Sequence, residues 1–116
     1  MRRTIAASLL IALTGVSSHA ISYAAFEQIT VAGSSIGFTG SAITPSGSPQ
    51  ATFASCRLET AEVRYTIDGT TPTTAVGTLL EVGDVLSVNG HDVLAQFRSI
   101  RTGGTSGVLS CTYTAP

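Results

Sequence analysis

The sequence predicts an all-β fold, a small antiparallel β-sandwich of Ig-like or Greek-key type with seven or eight short strands. Three observations carry this expectation. After residue 25, apolar residues recur at period two in short runs. Clusters of Gly, Pro, Asn, Asp and Ser separate those runs. No segment beyond residue 25 shows the i, i+3, i+4 apolar spacing of a helix. The remaining composition agrees, since Thr and Val suit a pleated, half-buried surface, and Gly with Ser supplies turns.

The elements follow in order from Phe26. The run Phe26 to Val31 sets Phe26, Gln28 and Thr30 on one face and Glu27, Ile29 and Val31 on the other. Ser35 to Thr39 carries Ile36 and Phe38 at strand spacing. Gly40 to Gln50, with Pro45, Gly47 and Pro49, reads as an exposed loop. Ala51 to Glu59 places Ala54, Cys56 and Leu58 on one face, with Ser55, Arg57 and Glu59 opposite. Glu62 to Asp68 alternates most regularly, so Val63, Tyr65 and Ile67 are expected to face inward.

Asp68-Gly69 is a turn dipeptide, for which Gly69 is expected at positive φ, and Pro72 ends regular pairing. Short strands follow at Thr78 to Val82 and Val85 to Val88, the second closed by the hairpin signal Asn89-Gly90. Val93 to Arg101 reads as a strand with Leu94 and Phe97 on opposite faces, hence bulged or buried on both sides. Val108 to Thr114 closes the domain with Leu109, Cys111 and Tyr113 on one face. The expected core comprises Leu58, Val63, Tyr65, Ile67, Phe97 and Leu109.

The chain of 116 residues is expected to form one domain, residues 26-116, preceded by a distinct segment, residues 1-25. That segment opens with Arg2-Arg3, continues with an apolar run from Ile5 to Val16, and ends in small residues at Ser18-His19-Ala20 and Ser22-Tyr23-Ala24. This is the grammar of a secretory signal peptide. A retained apolar arm that docks on a partner is the other reading. The run is shorter than the roughly 20 residues a bilayer requires, so no membrane association is expected of the mature chain.

Composition and motifs narrow the function classes. Only 11% of residues are charged, the formal net charge is −1, and all six basic residues are Arg. Nucleic-acid binding needs clustered positive charge, which is missing here. At 43% hydrophobic residues the chain can fill a core. No convergent catalytic set is visible, so no enzyme activity, cofactor or metal site is expected and no residue is assigned a catalytic, cofactor-binding or metal-ligating role.

The individual candidates read blandly. His91, beside Asp92, follows a turn dipeptide, Asp68 is a turn-former, and Glu59 with Glu62 flanks a tight turn. The three tyrosines, Tyr23, Tyr65 and Tyr113, form no evident stacking platform for sugars. Cys56 and Cys111 are expected to be buried, either as one bridge or as two apolar thiols.

The segment Val63-Arg64-Tyr65-Thr66-Ile67-Asp68-Gly69-Thr70-Thr71-Pro72-Thr73 is similar to a strand and turn in the small β-sandwich appended to chitobiase-like glycosidases. Over about half of the chain, Val63 to Thr112, it also resembles a group of small phage virion proteins. In these the turn is followed by Val76-Gly77, a Gly83-Asp84 turn, a run like Phe97-Arg98-Ser99-Ile100-Arg101 and a final "T-x-Y" strand. The signal-like N-terminus departs from that pattern.

The second resemblance implies a structural protein of the virion: a capsid decoration or cement protein, or a head or tail accessory protein. Its partners would be the major capsid protein and like subunits in a symmetric homo-oligomeric assembly. The alternative expectation is a secreted or periplasmic β-sandwich that binds carbohydrate or a cell-surface partner.

Overall fold

A computed structural model describes residues 23–116. Of the segment 1–25 expected as signal peptide or docking arm, residues 1–22 lie outside the described residues, and Tyr23, Ala24 and Ala25 belong to the first strand. Two antiparallel sheets enclose one core. The first has four strands in the order β1 (Tyr23–Val31), β7 (Gly107–Ala115), β2 (Phe53–Glu59), β5 (Val85–Asn89). The second has three, in the order β4 (Thr78–Leu80), β3 (Val63–Thr66), β6 (Arg98–Arg101). The expected all-β sandwich is therefore present, with seven strands among the described residues.

The last strand lies in the middle of the larger sheet. β7 pairs with β1 along nine residues, from Tyr23↔Ala115 to Val31↔Gly107, and with β2 from Phe53↔Thr114 to Glu59↔Val108. Alternation then sorts the side chains. Leu109, Cys111 and Tyr113 point inward with no solvent exposure, joined by Ala54, Cys56 and Leu58 from β2 and by Leu86 and Val88 from β5. At the start of β7 the packing admits only glycine: a Cβ on Gly107 would lie 2.6 Å from the Ala61 carbonyl oxygen and 2.7 Å from a Val63 methyl.

The two cysteines settle as the bridge rather than as free thiols. Cys56 and Cys111 are directly opposite in the β2–β7 register, with Cα atoms 4.1 Å apart, and they form a disulfide. Both are inside the core, 1% and 0% exposed.

The core between the layers is largely aromatic. Phe97 stacks on Phe38 with ring centroids 4.1 Å apart, Tyr65 packs 6.0 Å from Phe97, and Tyr113 meets Phe38 edge-on at 5.2 Å. Of the expected core, Leu58, Val63, Phe97 and Leu109 are fully buried and Tyr65 packs against them.

Ile67 is a correction, because it is 46% exposed. β3 ends at the Thr66↔Arg98 pair, so Ile67 already belongs to the turn and no strand lies opposite it.

Four other expectations differ. Residues 93–101 are not one strand. His91–Gln96 form a short helix, α2, and only Arg98–Arg101 form the strand β6. The helix turns Leu94 and Phe97, three residues apart, onto the same side, where both are fully buried without a bulge. Gly90, at φ 96°, is the residue before this helix, so Asn89-Gly90 does not close a two-residue hairpin. Gly40–Ile43 form a single helical turn, α1, inside the expected loop and bury Ile43. Ser35 to Thr39 contributes one bridge, Ile36↔Ser99, instead of a strand.

The Asp68-Gly69 turn matches its expectation. Gly69 has φ +87°, and the Asp68 carboxylate accepts the Thr70 N–H at 3.0 Å. A Cβ there would meet only Gln96 Oε1, at 3.7 Å, so the constraint is backbone conformation and not space. Gly69→Val should therefore cost about 1–3 kcal/mol in denaturant unfolding, and Gly69→Asn less. Equal stability of the Val variant and the natural protein would refute the left-handed turn.

Candidate interaction surface

Of the titratable groups singled out in the sequence, His91, Asp68 and Glu62 form side-chain hydrogen bonds within the fold. His91 opens α2, and its Nδ1 lies 3.0 Å from the Ala51 carbonyl while Nε2 lies 3.4 Å from Thr44 Oγ1. These contacts tie α2 to the segment that follows α1. Asp92 is exposed in the first turn of α2, where a carboxylate favours the helix start. Asp68 caps its own turn, and the N–H of Thr70 keeps its carboxyl below the usual range. Glu62 accepts from Thr102 Oγ1 at 3.1 Å, and Glu59 is exposed at the end of β2. No pocket opens and no metal-ligating cluster forms among the described residues.

The segment that carried the family resemblance is a self-contained clamp. Arg64 donates through Nε to the Thr74 carbonyl at 3.0 Å and through Nη1 to the Gly77 carbonyl at 2.9 Å. Thr73 Oγ1 accepts the N–H groups of Ala75 and Val76. Pro72 is fully buried beneath. Arg64, Asp68, Pro72 and Thr73 thus hold the loop between β3 and β4.

A second polar knot fixes the open rim of the core. Glu27 on β1 points inward, and its carboxylate accepts from the Thr39 N–H at 3.1 Å, from Thr39 Oγ1 at 2.6 Å and from the Tyr113 hydroxyl. Burial, then the hydrogen bond and charge of Glu27, push the Tyr113 phenol far above its ordinary pKa, so it stays protonated and donates. Tyr23 adds a bond from its hydroxyl to the Ala42 carbonyl at 2.8 Å. Together these bonds dock α1 against β1. Tyr65 and Tyr113 are spent on the core and Tyr23 on this anchor.

What remains outward is a broad, nearly neutral sheet surface. By register, the outer face of the four-stranded sheet carries Ala24, Phe26, Gln28 and Thr30 from β1, and Val108, Ser110, Thr112 and Thr114 from β7. β2 adds Phe53, Ser55, Arg57 and Glu59, and β5 adds Val85, Ser87 and Asn89. Cross-strand rows can be followed over all four strands, as in Phe26–Thr112–Ser55–Ser87 and Gln28–Ser110–Arg57–Val85. Arg57 and Glu59 are its only charges. Phe26 and Val85 stand out into solvent, 66% and 63% exposed. The sequence marked Phe26, Gln28 and Thr30 as one face. That this face looks outward depends on Glu27 finding Thr39 and Tyr113, partners that local pattern does not reveal.

Compared with protein-family models, with curated proteins and with solved structures, the chain matches none.

Proposed function

We propose that this chain is a non-enzymatic structural module that docks on a larger particle, as a decoration or cement protein of a phage virion bound to the major capsid protein and to like subunits. The outer face of the four-stranded sheet carries the proposal. It is built on a disulfide-braced sheet, holds two charges of opposite sign, and mixes small hydroxyl side chains with the exposed rings and methyls of Phe26 and Val85. A rigid, weakly hydrated surface of this kind loses little entropy or charge solvation when covered. The resemblance of the Val63–Thr112 segment to small virion proteins supplies the partner class.

Co-sedimentation of the full chain with shells of the parent phage tests the reading. The natural protein should sediment with the shells to saturation. Ser55→Arg with Ser110→Arg, which set charge at the centre of the face, should lower retention at least about tenfold while the thermal melt stays within a few degrees. A natural protein that stays in the supernatant refutes the proposal.

One observation favours a second reading. A buried disulfide together with a signal-like leader fits an oxidising compartment, and so a secreted or periplasmic module that binds carbohydrate or a cell-surface partner. Cleavage after Ala20 would leave β1 whole, since that strand begins at Tyr23. A natural protein whose N-terminus is Ile21 would support this reading against the virion one.

A further inference from the structure

We infer that the free edge of β1 is a strand-pairing site for a second copy of this chain, joining two four-stranded sheets into one continuous sheet across a two-fold axis. The argument starts from hydrogen-bond parity. In an antiparallel ladder each residue sends both its N–H and its C=O to the same side, and neighbours along the strand alternate. The Thr114 carbonyl accepts from Thr52 N–H, so Thr114 and its even-numbered fellows on β7 face β2. Odd-numbered β7 residues therefore face β1, and their partners are Tyr23, Ala25, Glu27, Ile29 and Val31. It follows that Ala24, Phe26, Gln28 and Thr30 turn their backbone N–H and C=O groups away from the sheet. All four residues are exposed, and no backbone hydrogen bond from outside the ladder reaches β1 among the described residues.

Natural sheets guard such edges with short strands, charges, Pro or bulges. The other three edges here fit that pattern. β4 has three residues, β6 is bounded by Arg98 and Arg101, and β5 has five residues closed by Gly90 and α2. β1 has none of these guards. It runs nine residues in unbroken register, holds no Pro or Lys, and directs its single charge, Glu27, inward to Thr39 and Tyr113.

A second copy is the occupant that fits. An isologous two-fold contact sets the row against its own reverse, so the row must tolerate itself. Antiparallel pairing about Gln28 places Phe26 opposite Thr30, Gln28 opposite its own copy and Glu27 opposite Ile29. No like charges meet, and the Phe26–Thr30 and Gln28–Gln28 pairs can each exchange two N–H···O bonds. The outer face then continues from one copy into the next. The inference rests on the assembly reading for its setting but not for its geometry. A monomer that still binds shells sinks the edge pairing alone, and a dimer that binds no shell sinks the assembly reading alone.

The test follows amide hydrogen exchange of the full chain from micromolar to millimolar concentration, beside sedimentation. The amides of Phe26, Gln28 and Thr30 should slow at least about tenfold in step with dimer formation, while those of Ala25, Glu27 and Ile29 are protected throughout. Gln28→Pro removes one outward N–H without touching the β1–β7 ladder and should leave a folded monomer. Phe26→Lys keeps every backbone donor, adds an edge charge and should weaken dimerisation at least about tenfold, which preserves the test if the Pro variant does not fold. A protein monomeric throughout, a dimer with these three amides unprotected, or a Phe26→Lys dimer of unchanged affinity overturns the inference.

Discussion

Phe97→Ala should lower the unfolding free energy by about 3–5 kcal/mol, as measured in denaturant. Phe97 has no exposed surface and lies face to face with Phe38, with the Tyr65 ring centroid 6.0 Å away. Truncation leaves a cavity bounded by rings, which cannot collapse to fill it as a chain of methylenes could. Position adds to the loss. Phe97 joins α2 to β6, and its N–H returns to the carbonyls of Val93 and Leu94, so loosening the ring also loosens the seat of α2. Ile67→Ala is the matched control. That residue is half exposed in a turn and should change stability by no more than about 0.5 kcal/mol. If the two substitutions cost the same, the core is not where the aromatic cluster puts it.

The contrast between Phe97 and Ile67 shows which parts of the fold local pattern carries. Alternation gave the faces of β1, β2 and β7 because each is long enough to repeat its phase several times, with one side buried. It failed at Ile67, one residue beyond the last β3 pair, because strand length is set by the facing strand and not by the run itself. It failed again at α2. Six residues give fewer than two helical turns, and the Leu94–Phe97 spacing reads as a bulged strand unless the helix is already known.

The insertion of β7 between β1 and β2 pairs residues more than 80 positions apart, as in Gln28 with Ser110, and only tertiary packing decides it. The candidate surface inherits this limit. Its composition is visible in the sequence, but its continuity across four strands and the unguarded β1 edge appear only with that order.

Removing the disulfide by Cys56→Ala with Cys111→Ala should have an effect of similar size and bears directly on function. The bridge closes a sequence separation of 55, for which the chain-entropy account gives about 4 kcal/mol of stabilisation, within an observed range of about 2–5. The loop it closes includes the whole three-stranded sheet, β5 and α2, so the unfolded chain gains freedom over most of the domain when it is cut. The thermal midpoint should fall by roughly 15 °C or more. A midpoint within a few degrees of the natural protein's would show that the register of β2 and β7 is held by packing alone. Both sulfurs are shielded from solvent, so reduction of the folded protein should be slow and should accelerate as denaturant opens the sheet. The same variant separates the two functional readings. A virion component that assembles in a reducing cytoplasm must fold with these cysteines as thiols, so the Ala pair should still fold cooperatively at 37 °C and load onto shells. If the Ala pair is unfolded at that temperature, the domain depends on oxidation, and the exported module becomes the better account of where this chain matures.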